Sequence, residues 1–482
     1  MNGEKRKTNG EREDREDRED RRDGENGDDR ENGEDRDDRG DGRDGRDGRD
    51  GRDGINGEDG KFPSSEALLI ERSAPIERSV THRAKRYSSS GATLSTLSNS
   101  EVFVLSAFFC TFAKGKNNAR MVIENISIID FKNIGDERLD LSAEINCFVG
   151  DNGAGKTNIL DAVHYLALAR SMQTLADSQV VRHGKEAFII EGKFRSDSSR
   201  HEQVVCSYSR RTGKTLKRNG KEYDKLSDHV GHFPIVIVSP ADTALISDSA
   251  EERRRYINRL ISQIDRQYLA ALMRYNTTLQ ERNKLLKNNP SEVMLLIYDQ
   301  MLDMAATAIY TRRKEVINQM RPIVEEYYAQ LSGGREKIGI DYRSELEHTS
   351  LAELLLSARQ KDIVNEHTTV GIHRDDIAFS IGEYPLRKYG SQGQQKSFLI
   401  ALKLAEYRIV AESCGERPIL LLDDLFDKLD MGRVAELLRI VGGADFGQIM
   451  ITDCNKHRLQ RTLNEAGAEY RLFNVTEGTA TL

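Results

Sequence analysis

The clearest hydrophobic pattern in the chain is an apolar run, Ile145–Val149, followed by a glycine-rich stretch and then by apolar residues at 159, 163 and 166. A short unbroken run of this kind predicts a buried strand, and the later spacing predicts one face of a helix over Asn158–Ala169. A second buried strand is predicted at Ile419–Leu422, and a final one within GQIMITDCN at 447–455. Between them, Ser397–Glu412 and the stretch MRPIVEEYYAQL (320–331) read as helices. Ile338, Ile340 and Tyr342 alternate with Gly339 and Asp341, the period of a strand. Ser239 is placed as an N-cap, with Pro240 at the first helical position and Asp242 in the first turn, and opens a helix-rich insertion. Asn219-Gly220 predicts a tight hairpin turn.

The first hundred residues lack this texture. Residues 1–60 are a degenerate repeat of Arg, Asp, Glu and Gly with 24 acidic and 15 basic side chains, too polar to offset the entropy of ordering, so residues 1–100 are expected to be disordered. The apolar stretch VFVLSAFFCTFA at 102–113 is shorter than the roughly 20 residues that span a bilayer. Compact globular texture begins at Met121. The reading is therefore of a disordered extension over 1–120, with Met121 as the natural start, testable by N-terminal sequencing from the source organism. An α/β head is expected from residues 121–238 and 365–482, with a mostly helical lobe, 239–364, inserted between them.

Charge narrows little. The last 362 residues carry 51 acidic and 48 basic side chains, nearly neutral, so net charge does not point to nucleic acid. The five cysteines are scattered without a CxxC pair, which reads as free thiols in a reducing compartment. With no targeting or membrane segment, the globular part reads as cytosolic.

Chemistry enters with Gly150-Asp151-Asn152-Gly153-Ala154-Gly155-Lys156-Thr157, which fits the phosphate-binding pattern G-x-x-x-x-G-K-[ST]. Here it lies between a predicted strand and a predicted helix. The glycines let successive amides converge on one point, and the helix N-terminus adds partial positive charge. Lys156 would reach the β- and γ-phosphates of ATP, and the Thr157 hydroxyl would bind Mg²⁺. The strand at Ile419–Leu422 delivers the remaining carboxylates: Asp423 for the metal and Asp424 to orient or deprotonate the attacking water. Thr452 or Asp453 is expected to act as a γ-phosphate switch.

In ATPase heads of the ABC type, a signature motif from one subunit contacts the γ-phosphate held by the other. This needs small or polar residues where a helix begins. Leu331-Ser332-Gly333-Gly334 spells the familiar form, but its glycines follow a predicted helix and precede a predicted strand, as a left-handed C-cap would. Gly390-Ser391-Gln392-Gly393-Gln394-Gln395 instead leads into a helix, about ten residues before the strand carrying Asp423. Ser391, Gly393 and Gln394 are the expected signature residues, acting in trans.

Several stretches together, ISIIDFKNI (126–134), FVGDNGAGKTNILDAV (148–163), ERRRYINRLISQID (252–265), GIHRDDIAFSI (371–381), YGSQGQQKSF (389–398) and ILLLDDLFDKLD (419–430), resemble the RecF family of ABC- and SMC-like ATPases. The likeness runs from Met121 to the C-terminus, with Lys132 where family members usually have Arg and Ile372 where they have Pro. It implies an ABC-type P-loop head with an inserted helical lobe and a role in recombinational repair and replication-fork maintenance. It further implies ATP-dependent homodimerisation on double-stranded DNA near single-strand gaps, with slow ATP hydrolysis. RecR, and less directly RecO and RecA, are the implied protein partners.

Two other classes remain open. A transporter ATPase usually has a shorter separation between P-loop and signature. A long-armed chromosome-organising ATPase needs sustained heptads, absent from the roughly 235 residues between the motifs here. The candidate DNA-facing element is the hairpin of residues 209–225, where Arg210, Arg211, Lys214, Lys217, Arg218 and Lys221 cluster; a solvated edge hairpin is the alternative. Arg253-Arg254-Arg255 read equally as ion-pair partners or phosphate contacts. His373-Arg374-Asp375-Asp376 read as hydrogen-bonding groups and not as a metal site.

Overall fold

The structure is a computed structural model describing residues 119–173, 175–197, 200–288, 290–424 and 431–482. Of the extension expected over 1–120, residues 1–118 lie outside the described residues, whereas Ala119 and Arg120 already belong to the first strand. The DKLD stretch at 427–430, which reads as an interface loop beside the signature, also lies outside the described residues.

In chain order the head opens with β1 (Ala119–Phe131), β2 (Ile134–Asp140), β3 (Ile145–Val149) and α1 (Lys156–Leu168). Then come β4 (Ala187–Ser196), β5 (His201–Ser209), β6 (Gly213–Arg218), β7 (Lys221–Glu222) and β8 (Ile235–Val238). The helical stretch holds α2 (Ala250–Ile264), α3 (Arg266–Leu286) and α4 (Glu292–Ser332). After β9 (Ile338–Arg343), α5 (Leu351–Ser357) and α6 (Arg359–Asn365), the chain forms β10 (Asp376–Ile381), β11 (Tyr384–Pro385) and α7 (Gln392–Cys414). It ends with β12 (Glu416–Arg417), β13 (Ile419–Leu422), α8 (Met431–Val441), β14 (Ile449–Asp453), α9 (Lys456–Glu465), β15 (Tyr470–Thr476) and β16 (Thr479–Thr481).

One six-stranded sheet, ordered β16-β15-β3-β14-β13-β8, organises the site. Four of its five pairings join parallel strands, and only β16 runs antiparallel. Every residue of β3, β8, β13 and β14 is buried, because each face of the sheet is covered. Ile145, Cys147, Val149, Leu420 and Leu422 face one core, shared with α2, α4 and α7. Phe148, Ile419, Leu421 and Met450 face another, shared with α1 and the antiparallel β1–β4–β5–β6 layer. The sheet is therefore mixed, as in an α/β head, but β14 is not its last strand. β15 and β16 follow, and β15 pairs with β3 through Tyr470 to Asn474. Leu472, Phe473 and Val475 ahead of the Glu477-Gly478 turn were the overlooked signal.

Parallel strands end on one side. Val149 lies opposite Asp453, and Leu422 opposite Val238 and Ile451, so the P-loop, Asp423 and Thr452 emerge at the same carboxyl edge, where open α/β sheets bind ligands.

The helix α4 has 41 residues, about 60 Å at 1.5 Å per residue, and accommodates Pro322 without ending. Among the described residues it alone is long and apolar enough to cross a membrane by length and composition. It stops at Gly333, where φ is +73°, and Gly334 donates its N–H to the Ala329 carbonyl at 2.9 Å. Leu331-Ser332-Gly333-Gly334 is thus a left-handed helix stop, as its position implies. β9 follows and pairs antiparallel with β10, a pairing that crosses the expected boundary at residue 364.

Candidate nucleotide site

The P-loop wraps the N-terminus of α1 with Gly155 as N-cap at φ +114°. Asn133, at the β1–β2 turn, braces it: its Nδ2 donates to the Ala154 carbonyl at 3.2 Å, and its Oδ1 accepts from Asn158 Nδ2 at 2.7 Å. A Cβ on Gly155 would stand 2.8 Å from that amide. The loop is also held from behind by the last hairpin, since Gly478 donates its N–H to the Ala154 carbonyl at 2.7 Å. A Cβ on Gly150 would meet the Val475 carbonyl oxygen at 2.1 Å. The Lys156 ammonium curls over the loop and donates to the carbonyls of Gly150 and Asp151, at 2.7 and 2.9 Å. Asp151, Asn152 and Gly153 are exposed, so the rim is open to solvent.

Asp423 is the hub. Its buried Oδ1 accepts from the hydroxyls of Thr157 and Thr452, each at 2.8 Å. Burial pushes its carboxyl above the usual carboxylate range, while the Thr452 and Thr157 hydroxyls pull it back. Thr452 does double duty, accepting the Asp424 N–H at 2.9 Å. That bond holds Asp424 at φ +45°, a left-handed conformation uncommon outside glycine. Of the two switch candidates, Thr452 stands at the hub. The Asp453 carboxylate turns away, accepting from Arg458 Nη2 at 2.8 Å and the Asn455 N–H at 2.8 Å.

The signature segment needs one correction. Its helix α7 begins at Gln392, five residues before the predicted Ser397, because Ser391 caps it. The Ser391 Oγ accepts from the Gln394 N–H at 3.3 Å, and the Ser391 N–H donates to Gln394 Oε1 at 2.6 Å. This reciprocal box offsets the low helix preference of Gly393. Ser391 is exposed. A Cβ on Gly393 would lie 2.6 Å from Arg433 Nη1. Among the described residues, no hydrogen bond or ion pair joins Gly390–Gln395 to the P-loop of the same chain.

The hairpin forms as predicted, with Asn219 and Gly220 at φ +51° and +80°, but two of the six clustered cations face inward. Lys214 is paired to Asp177 at 2.9 Å and lies over the Tyr165 ring, and Arg218 is ion-paired to Glu202. Arg210, Arg211, Lys217 and Lys221 remain exposed. The 253–255 arginines all find partners within the chain: Arg253 pairs with Asp376 at 2.7 Å, Arg254 donates to the Asp375 carbonyl, and Arg255 pairs with Glu251 and Glu252. His373 Nε2 donates to the Thr368 carbonyl and its Nδ1 shares a hydrogen bond with the Tyr275 hydroxyl, and no cluster of metal-ligating side chains occurs among the described residues.

The family model described as the RecF/RecN/SMC N terminal domain matches residues 122–481. "DNA replication and repair protein RecF" of Bacteroides fragilis strain YCH46 is 41% identical over 360 residues, covering 74% of this chain and 97% of the relative.

The chain belongs to the RecF family.

RecF of Porphyromonas gingivalis strain ATCC 33277 is 42% identical, over 74% of this chain and 99% of its own. Among solved structures, a RecF–ATP structure of the RecFOR pathway superposes with a TM-score of 0.69 at 29% identity, covering 76% of this chain and 98% of that one. A RecF–ATPrS structure of the same pathway gives 0.68. The RecF fold here is an ABC-type P-loop ATPase head with an inserted helical lobe, which sets aside the transporter alternative.

Proposed function

We propose that the chain is an ATP-dependent DNA-binding protein of recombinational repair and replication-fork maintenance. On this reading it dimerises when ATP is bound, acts at single-strand gaps, and releases by slow hydrolysis. The observation that carries the nucleotide part of the reading is the direct hydrogen bond from Thr157 Oγ1 to Asp423 Oδ1, which joins phosphate loop and strand-end carboxylate 266 positions apart in sequence. The RecF relatives are named for DNA replication and repair, and RecF has been solved with ATP.

Each side chain has a defined task. Lys156 would exchange its two loop carbonyls for the β- and γ-phosphates, and the loop amides would hold the remaining phosphate oxygens. Thr157 and Asp423 offer hard oxygen donors side by side, a set that fits Mg²⁺, which is commonly bound by one or two carboxylate or hydroxyl groups together with substrate phosphates. The metal, when bound, would neutralise phosphate charge. Asp424, aimed by Thr452, would orient the attacking water. Ser391, Gly393 and Gln394 would complete the partner's site, consistent with an exposed Ser391 that shares no bond with its own P-loop. DNA contact is assigned to Arg210, Arg211, Lys217 and Lys221 on the hairpin. RecR is the expected partner, with RecO and RecA following in the pathway.

Fluorescence anisotropy tests the DNA part. Gapped duplex should bind more tightly with ATP than with ADP and more tightly than intact duplex. Equal affinity in all four arms would refute it.

A further inference from the structure

The turn that spells the wrong signature reaches the right one. Three residues after Ser332 ends α4, the chain passes Arg335 and presents Glu336. Glu336 Oε1 accepts from Gln394 Nε2 at 2.7 Å, and Glu336 Oε2 accepts from the Tyr328 hydroxyl, also at 2.7 Å. Tyr328 is buried in the last turns of α4. Gln394 spends its other end on Ser391, taking the Ser391 N–H at 2.6 Å. The result is a continuous relay, Tyr328–Glu336–Gln394–Ser391, from the arm helix to the signature serine.

An amide side chain has an accepting end and a donating end. Turned over, Gln394 would set its NH₂ against the Ser391 N–H and its oxygen against the Glu336 carboxylate, losing both bonds. Glu336 therefore helps to fix which way Gln394 faces, from the end opposite Ser391. Its carboxyl is held below the usual range by the Tyr328 and Gln394 donors, so it remains a charged acceptor. Farther along, Arg408 of α7 grips Glu326 of α4 through two bonds of 2.7 and 3.2 Å and stacks on Tyr327, so the two helices are joined at two separate points.

We infer that Glu336 is a positioning residue for the composite site: it fixes the Gln394 amide, which in turn fixes the Ser391 cap that faces the partner's phosphate. This rests on the reading of Ser391 as a contact in trans. The consequence is that the end of the long arm helix and the signature motif move as one unit.

The test compares Glu336→Ala, Glu336→Gln and Ser391→Arg in the full chain. Three quantities are read: ATP-driven dimerisation by analytical ultracentrifugation, affinity for a fluorescent ADP, and Tm. Glu336→Ala should weaken dimerisation about tenfold, the scale of one hydrogen bond to a charged group, with ADP affinity within about twofold and Tm unchanged. Glu336→Gln keeps one oxygen for Gln394 and should recover to within about threefold. Wild-type dimerisation in Glu336→Ala beside a dead Ser391→Arg would overturn the positioning role alone. So would equal losses in Glu336→Ala and Glu336→Gln accompanied by a lower Tm, the mark of a merely structural residue. A Ser391→Arg protein that dimerises normally would overturn the trans reading and this inference with it.

Discussion

Replacing Thr452 by valine tests the hub at Asp423 without opening a cavity, because the two side chains have nearly the same shape. Thr452 is fully buried, and its hydroxyl serves two partners, donating to Asp423 Oδ1 and accepting the Asp424 N–H. Losing a hydrogen bond to a charged acceptor costs about 1.5–3 kcal/mol, and leaving a buried N–H unsatisfied costs about 1–3 kcal/mol. Partial relaxation brings the expected total to about 2–4 kcal/mol. Thr452→Ser keeps the hydroxyl and removes one methyl, which costs about 1 kcal/mol. Urea unfolding of the nucleotide-free protein should therefore rank wild type above Ser above Val. Single-turnover ATP hydrolysis should fall at least tenfold in Val but stay within about threefold in Ser, because only Val releases Asp424 from its held conformation. If Val matches wild type in both assays, or Ser is as impaired as Val, the hydroxyl is not what holds the two aspartates.

Other consequences follow from the same geometry. Lys156→Ala should lower ATP affinity at least about a hundredfold with Tm nearly unchanged, since its ammonium touches only the loop it serves; equilibrium binding of a fluorescent ATP reads this. Gly150→Ala should destabilise the fold by about 1–3 kcal/mol in urea, because its Cβ would press on the Val475 carbonyl. Changing Arg210, Arg211, Lys217 and Lys221 together to Ala should weaken DNA binding and reduce its salt slope by up to roughly 0.9 per phosphate contact removed. An unchanged slope would return the hairpin to a plain solvated edge. His164 and His229 are buried, and burial pushes both imidazoles down to about 4. The unfolded chain, near 6.5, then binds more protons, so stability is present above pH 6.5 and is lost as pH falls toward 4. By pH 5 the loss should be about 2 kcal/mol for each histidine. A flat stability profile between pH 7 and 5 would contradict this burial.

The candidate nucleotide site was largely legible because its parts obey local rules. An apolar run ending in glycines, a helix after them, and an apolar run ending in two aspartates each announce themselves within a dozen residues. The helix-stop reading of Gly333-Gly334 worked for the same reason. What escaped was set by distant partners. Lys214 and Arg218 look free in sequence, but Asp177 and Glu202 lie on other segments and turn them inward. Asn133 braces the P-loop from the β1–β2 turn, and Glu336 meets Gln394 across 58 positions; neither pairing has a spacing to read. One miss was avoidable. Ser391-Gln392-Gly393-Gln394 is a capping box, and it places the helix start at Gln392 despite the glycine.

The trans signature is the centre of the account, and subunit mixing tests it most directly. Lys156→Ala and Ser391→Arg proteins should each be inactive alone. Mixed, they should form a heterodimer in which the intact P-loop of one chain faces the intact Ser391 of the other. ATP hydrolysis should reappear on mixing, at up to one working site per heterodimer. A mixture as inactive as its components, with heterodimers demonstrably present, would contradict the composite site.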